Sequence, residues 1–540
     1  MSLTLSASAE QSLGRISFRT SGNPQAQPSF LRGVLFLHNF EYDDAIAAFR
    51  EAQRIDPAFA MAYWGEALAY DQPLWMNEAP DRARAVLARL APTRAARQAK
   101  APTVREKGYL DAVERLYGDG GRPARIRAYA QRMGELHAAF PEDDEAAAFY
   151  ALALLATIPP NERNTAVSLQ AGNIALAILK RNPGHPGAAH YALHAFDDGE
   201  HAAMGLQAAR IYARIAPASS HARHMPSHVF LPLGMWDEAA ASDESAFAAS
   251  VDLAKRKGLS AAQYDFHALS WLQYEYLQQG RFDKARGAMA EVQRAIAAGG
   301  SGRPGGPGGS GEVHAHAESE IGKGYGETSL KSELASMKAR LVVEIGDWAQ
   351  MKGQGSFDNI DELYALGAAS VKLGDGARAE AALEHLDTAS KTVGDADARE
   401  VAHIMAAELD GLMRFARGDR AGALAALAHA SGAEAKRPKP VARPYPIKPA
   451  AELFGEILLA SGDPAGAVPQ FQAALARTPR RAASLVGLAR AQQKAGRPAV
   501  AAKAAKDFLA AWHLADAGRP ELAEMRALAA GSGRPGGPGR

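Results

Sequence analysis

Alanine-rich, helix-forming runs of about ten to fourteen residues alternate along this chain with short turns of Gly, Asp or Pro. The strict apolar–polar alternation of half-buried strands is scarce, so the pattern predicts an all-α chain with no sheet. One stretch gives the period. In "SFLRGVLFLHNFEYDDAIAAFREAQRIDP", Gly33, Tyr42, Ala45, Phe49, Ala52 and Pro57 fall at offsets 8, 17, 20, 24, 27 and 32 of a 34-residue unit. The small residues Gly33 and Ala45 let two helices approach closely, Phe49 fills the gap to the next unit, and Pro57 ends the second helix.

The same register returns near the C-terminus, where Gly455, Gly462, Ala467, Phe471, Ala474 and Pro479 occupy offsets 8, 15, 20, 24, 27 and 32. Pro183 and Pro217 act as unit-ending prolines, so units begin near Pro186 and Ser220. Another begins near Ala482, and less regular ones near Ala60, Asp144, Phe266, Ser332, Ile360 and Ile404. This resembles the tetratricopeptide repeat, a helix–turn–helix unit. The resemblance implies a right-handed helical superhelix (an α-solenoid) of about ten to twelve units around a deep concave groove.

Composition narrows the partners. Lys and Arg total 61 against 60 Asp and Glu, a balance that gives no reason to expect nucleic acid. No apolar run reaches the ~18 residues of a spanning helix. The first residues lack a basic start followed by an apolar stretch, so no signal peptide is expected. The reading is of a soluble protein, with cytoplasm and periplasm both open. There is no cysteine, which removes disulfides, thiolate catalysis and Cys-based zinc sites. The expected organisation is an N-terminal extension (1–24), an array carrying the histidines (25–298), a Gly/Pro-rich insertion (299–326), a second array (327–530) and a Gly/Pro-rich tail (531–540). The insertion and tail share the nonapeptide "GSGRPGGPG" and are expected to be mobile linker.

The candidate chemistry is imidazole. Seven of the 16 histidines fall between His185 and His228, where a uniform spread would place about one. His190 and His194 are four apart, as are His224 and His228, a spacing that puts two side chains on one helix face. Counted from the third residue after the preceding proline, both pairs stand at offsets 5 and 9. The resemblance implies that these offsets line the groove. First helices of neighbouring units pack at ~8–10 Å, a gap two imidazoles can span through one ion. The prediction is a single transition-metal ion (copper, zinc or iron) shared by His190, His194, His224 and His228, with His267 as a further ligand. His221, His201, Asp197, Asp198, Glu200, Asp265 and His38 are additional ligands or acceptors that fix histidine tautomers. Pro226 is expected to start a helix, costing His224 and His228 their ideal spacing and making His221 a competing ligand. The alternative is a metal-free groove that binds a peptide, partner protein or small molecule, with Trp64, Glu66, Glu408, Glu452 and Glu456 as groove residues. Whether the chain is an enzyme stays open, since no Walker loop, GxSxG elbow, HExxH or dinucleotide fingerprint is present.

"NPGHPGAAHYALHAFDDGEHA", "IAPASSHARHMPSHVFLPLGMWDEA" and "YDFHALSWLQYEYLQQGRFDKA" are similar to a family of bacterial tetratricopeptide-repeat proteins with an HxxHMPSH-type motif. "LHNFEYDDAIAAFREAQRIDPAFAMAYWGEALAYDQPLW" and "PIKPAAELFGEILL" extend the similarity over most of the chain. It implies the fold and no activity.

Overall fold

The structure is a computed structural model that describes residues 13–159, 162–298, 327–353 and 359–531. The insertion 299–326, with His314 and His316, and nearly all of the tail lie outside the described residues. The chain is an all-α solenoid of antiparallel helix pairs, each packed on the next in sequence order. Helices begin at Ala60, Asp144, Pro186, Ser220, Phe266, Ile360 and Ala482, where the repeat register places unit starts. Ser332 and Ile404 lie inside the helices Glu327–Ile345 and Ala396–Ala416 instead, because those units have longer first helices than the 34-residue pattern allows. No helix among the described residues is long and apolar enough to cross a membrane.

The stacking device is a large ring set against glycine. A Cβ on Gly33 would stand 2.7 Å from the Phe49 ring, and one on Gly65, in the next unit, 2.3 Å from it. Gly455 and Gly487 receive Phe471 in the same way, at 3.0 and 2.2 Å. Only an absent Cβ lets neighbouring first helices close over the phenyl ring, so the repeat motif is a packing rule.

One expectation is corrected. Asp71 and Gln72 pair with Glu78 and Asn77 in a two-residue antiparallel ladder. The ladder is too short to register as alternation. Arg122 holds Asp71 at 2.9 Å, and Arg125 holds Glu78 at 2.5 Å. Burial pushes the Asp71 carboxyl up to about 6 against the pull of Arg122. The tip of this hairpin carries Leu74 and Trp75.

The solenoid also closes on itself. Trp236 Nε1 donates to the Arg480 carbonyl at 3.0 Å, and Asp516 N donates to the Gly280 carbonyl at 3.0 Å. Arg481, 1 % exposed, sits at this seam. It donates to Glu452 through Nε and Nη2 at 2.8 and 3.0 Å, to Glu344 at 2.6 Å and to the Tyr274 hydroxyl at 3.3 Å.

Candidate metal centre

The helix Pro186–Ala195 supplies His190 and His194, and the five-residue helix Ser220–His224 supplies His221 and His224. His228 follows on Ser227–Phe230, and His267 opens the helix Phe266–Gln278. These six imidazoles gather as two trios, His190/His194/His221 and His224/His228/His267, each with ligand nitrogens within 4.8 Å of one another. The single set predicted from spacing is therefore divided. His221, not His224 or His228, completes the first trio. His221 and His224 are one turn apart on the Ser220–His224 helix, and each joins a different neighbour.

Pro226 disturbs this less than expected. Met225 and Pro226 both stay in the right-handed helical region, at φ −50° and −58°. Rotation thus continues through the break, and His224 and His228 still meet with their Nε2 atoms 3.0 Å apart.

In the first trio, His190 Nδ1 lies 2.7 Å from the His38 carbonyl oxygen. A carbonyl only accepts, so Nδ1 carries the hydrogen and the neutral ring presents a bare Nε2. That Nε2 is 2.7 Å from His221 Nε2 and 3.1 Å from His194 Nε2. One in-plane lone pair serves one N–H donor well, not two. In the second trio, His228 Nδ1 donates to Asp197 at 2.8 Å and His224 Nδ1 to Asp243 at 2.6 Å. Both Nε2 lone pairs then face each other. Burial, with His228 beside it, pushes His224 down to about 3, so it stays neutral. Burial also raises the carboxyls of Asp243 and its neighbour Glu275 well above the usual range. Two buried carboxyls in contact share a proton, and with Glu275 donating, Asp243 still accepts from His224.

A third buried group is His38/Glu145/His185. His185 Nδ1 accepts from Ala188 N at 3.1 Å, so its Nε2–H faces Glu145 at 3.3 Å. His38 Nε2 donates to Glu145 at 2.7 Å, and its Nδ1 accepts from the Tyr191 hydroxyl at 2.9 Å. Burial opposes ionisation of Glu145, but His185 and His38 outweigh it and hold the carboxyl down to about 2. The His185–Glu145 contact is an ion-pair distance without hydrogen-bond geometry, so His185 Nε2 and Glu145 Oε1 are buried without a hydrogen-bond partner. The group ties three helices together and fixes the His38 carbonyl that orients His190.

Aromatic rings wall both trios. Trp271 lies 4.4 Å from the His228 ring and 5.3 Å from those of His224 and His267, centre to centre. Phe40 lies 4.2 Å from His190, 5.6 Å from His221 and 5.8 Å from His194. Phe40 has φ +59°, and its turn closes with a bond from Glu41 N to the Phe36 carbonyl. Gly280, Gly374, Gly418, Gly462 and Gly496 fill the same position in other units, with φ between 71° and 84°. A left-handed residue with a Cβ costs roughly 1–2 kcal/mol, and here it places a ring on three imidazoles. Phe40→Gly relieves that strain while opening a cavity. It should therefore cost less than the roughly 3–5 kcal/mol of a buried Phe→Ala change such as Phe49→Ala. Equal losses in urea unfolding would show that the Phe40 backbone stores no strain.

Other sequence candidates sit elsewhere. His201 bonds Asp198 at 2.9 Å, and Glu200 pairs with Lys439 at 3.1 Å. Asp265 caps its helix through Ala268 N at 3.0 Å and accepts from Ser220 at 3.1 Å. Trp64 is buried among Phe18, Phe30, Tyr109 and Phe149, in unit packing and not in a groove. Glu66 is buried against Arg50, Gln53 and Arg89. Glu408 is buried, which pushes its carboxyl up beside Glu434. Glu452 belongs to the Arg481 seam, and Glu456, partly exposed, bonds Lys448 at 2.6 Å. Sequence reasoning passed over Asp243, Glu145, His185, Trp75, Trp271 and Phe40. Of these, Phe40 carried a legible signal, a bulky residue at offset 15 where Gly462 stands.

No family model matches this chain, and neither does any curated protein. Among solved structures, the human IFIT1 dimer with m7Gppp-AAAA is 12% identical over 95% of this chain and 94% of that one, with a TM-score of 0.34. The APC/C hetero-tetramer Cut9–Hcn1 is 11% identical over 95% and 78%, at 0.30. A tetratricopeptide repeat protein from Parabacteroides merdae is 13% identical over 57% and 96%, at 0.29. Likenesses this distant add nothing to the site, and the repeat architecture rests on the ring-against-glycine stacking of the chain itself.

Proposed function

We propose that this helical-repeat scaffold is a metalloprotein holding two tri-histidine transition-metal centres, His190/His194/His221 and His224/His228/His267. One observation carries the reading. In the second trio, with Asp197 and Asp243 accepting from both Nδ1 atoms, the two Nε2 lone pairs stand face to face at 3.0 Å. A cation between them turns a repulsion into a ligand pair. Three nitrogens bound at about 2.0–2.1 Å in a tetrahedral site stand about 3.3 Å apart, and spacings of 2.7, 3.0 and 3.1 Å approach this. Neutral imidazoles without thiolate or carboxylate suit copper, zinc, iron or nickel. Three protein ligands leave a position open for water or substrate, the arrangement of a catalytic rather than a structural site. The Asp197, Asp243 and His38 carbonyl contacts supply the outer acceptors such ligands use.

Metal analysis of protein purified without an affinity tag should find two ions per chain after loading with zinc or copper. Absence of bound metal, together with a melting temperature unmoved by either ion, overturns the reading and leaves a scaffold that binds partners through its groove.

A further inference from the structure

His194 faces a pocket of about 760 Å³ between two distant parts of the chain. Leu74 and Trp75, on the hairpin tip, form an apolar wall with Leu155 and Ile158, and Pro438 and Ala473 face them from the C-terminal array. Trp75 also lies 5.0 Å from the Phe40 ring and 6.0 Å from the His221 ring, so one indole borders both the pocket and the first trio. Several of the charged groups around the cavity are paired, while Glu162 and Arg163, both exposed, also line it. Lys439 pairs with Glu200 at 3.1 Å, Arg437 with Glu400 at 2.7 Å, and Asp198 with His201 at 2.9 Å. Asp197 is held by His228. The cavity volume falls in the range of small-molecule sites.

We propose that this pocket is the substrate site of the His190/His194/His221 centre. Its ligand is a small aromatic molecule with an oxygen donor, of the phenol or catechol class. The ring stacks on Trp75 and the oxygen fills the open position beside His194. A ring accounts for the apolar wall and the indole, and its oxygen gives the metal a donor. This rests on the metal reading above, and the test separates the two.

Zinc-loaded protein is titrated with 4-nitrocatechol, whose absorption band moves when its oxygens bind a metal. Acetohydroxamate, a metal binder without a ring, serves as the comparison. The expected result is a saturable band shift with metal-loaded protein and none with metal-free protein. Trp75→Ala should weaken 4-nitrocatechol about tenfold, with Trp75→Phe restoring most of it. Acetohydroxamate should bind all three proteins alike, which shows that the centre survives the substitutions. If the protein loads zinc but 4-nitrocatechol binds wild type and Trp75→Ala equally, the pocket assignment falls and the metal reading stands. If an unrelated peptide displaces the probe from the wild type as readily as from Trp75→Ala, the aromatic class is wrong. If no zinc loads, both proposals fall together.

Discussion

His194→Ala and His228→Ala should each retain one metal ion per chain, and the double variant none. Each single change removes one imidazole of three from one centre and leaves the other's nitrogens in place. Loss of a ligand from a site of this kind weakens binding far beyond the 10–100-fold typical of outer acceptors. The helix content should hold, because the apolar contacts of each unit keep its packing. The gain in melting temperature on zinc addition should fall by part in each single variant and vanish in the double. A single ion shared across both trios makes the opposite prediction: either substitution alone would empty the protein, and the double would add little. Stoichiometry by elemental analysis decides between them. The two sets of ligands share the 220–224 helix, so small cross-effects on affinity are compatible with two ions.

Replacing Arg481 by Met should destabilise the protein by about 3–5 kcal/mol, the cost of breaking a buried ion network by removing one partner. Glu344 and Glu452 would remain buried, with Lys448, 2.9 Å from Glu452, the remaining cation on that carboxylate. Burial works against ionisation of Glu452, but Arg481 and Lys448 outweigh it and hold the carboxyl far below its ordinary 4.5. A carboxyl with a depressed folded value contributes stability that is complete above about pH 4.5 and lost as pH falls toward the folded value. Urea midpoints measured between pH 7 and pH 3 should fall steeply in the wild type below about pH 4.5. In Arg481→Met the slope should be shallower, since part of that contribution is already gone. A parallel pair of curves would show that Arg481 does not set the ionisation of Glu452. The pairing Glu452→Gln with Arg481→Met should cost less than the two separate losses summed, because both act on one network.

Much of the scaffold is written in short-range chemistry. Gly33, Phe49 and Pro57 recur at fixed offsets because a ring needs a missing Cβ opposite it and a second helix needs an end. These requirements act within one unit and its neighbour, so one sequence window records them. The histidine pairs were legible for the same reason: His190 with His194, and His224 with His228, are helix-face neighbours wherever the helix lies.

What the window could not contain was the partition of those pairs. His221 joins His190 and His194 because a five-residue helix turns two of its histidines toward different neighbours, a matter of how adjacent units pack. Glu452 stands at a groove offset, yet it is buried: Arg481 reaches it from the next unit, and the closing solenoid brings Tyr274 to that guanidinium from about 200 positions away. Trp75 meets His221, and Lys439 meets Glu200, through the same long-range closure. Periodicity fixes which side chains share a helix face. Only the path of the whole superhelix decides which faces meet, because that path is the sum of many small rotations between units, and no single unit encodes the total.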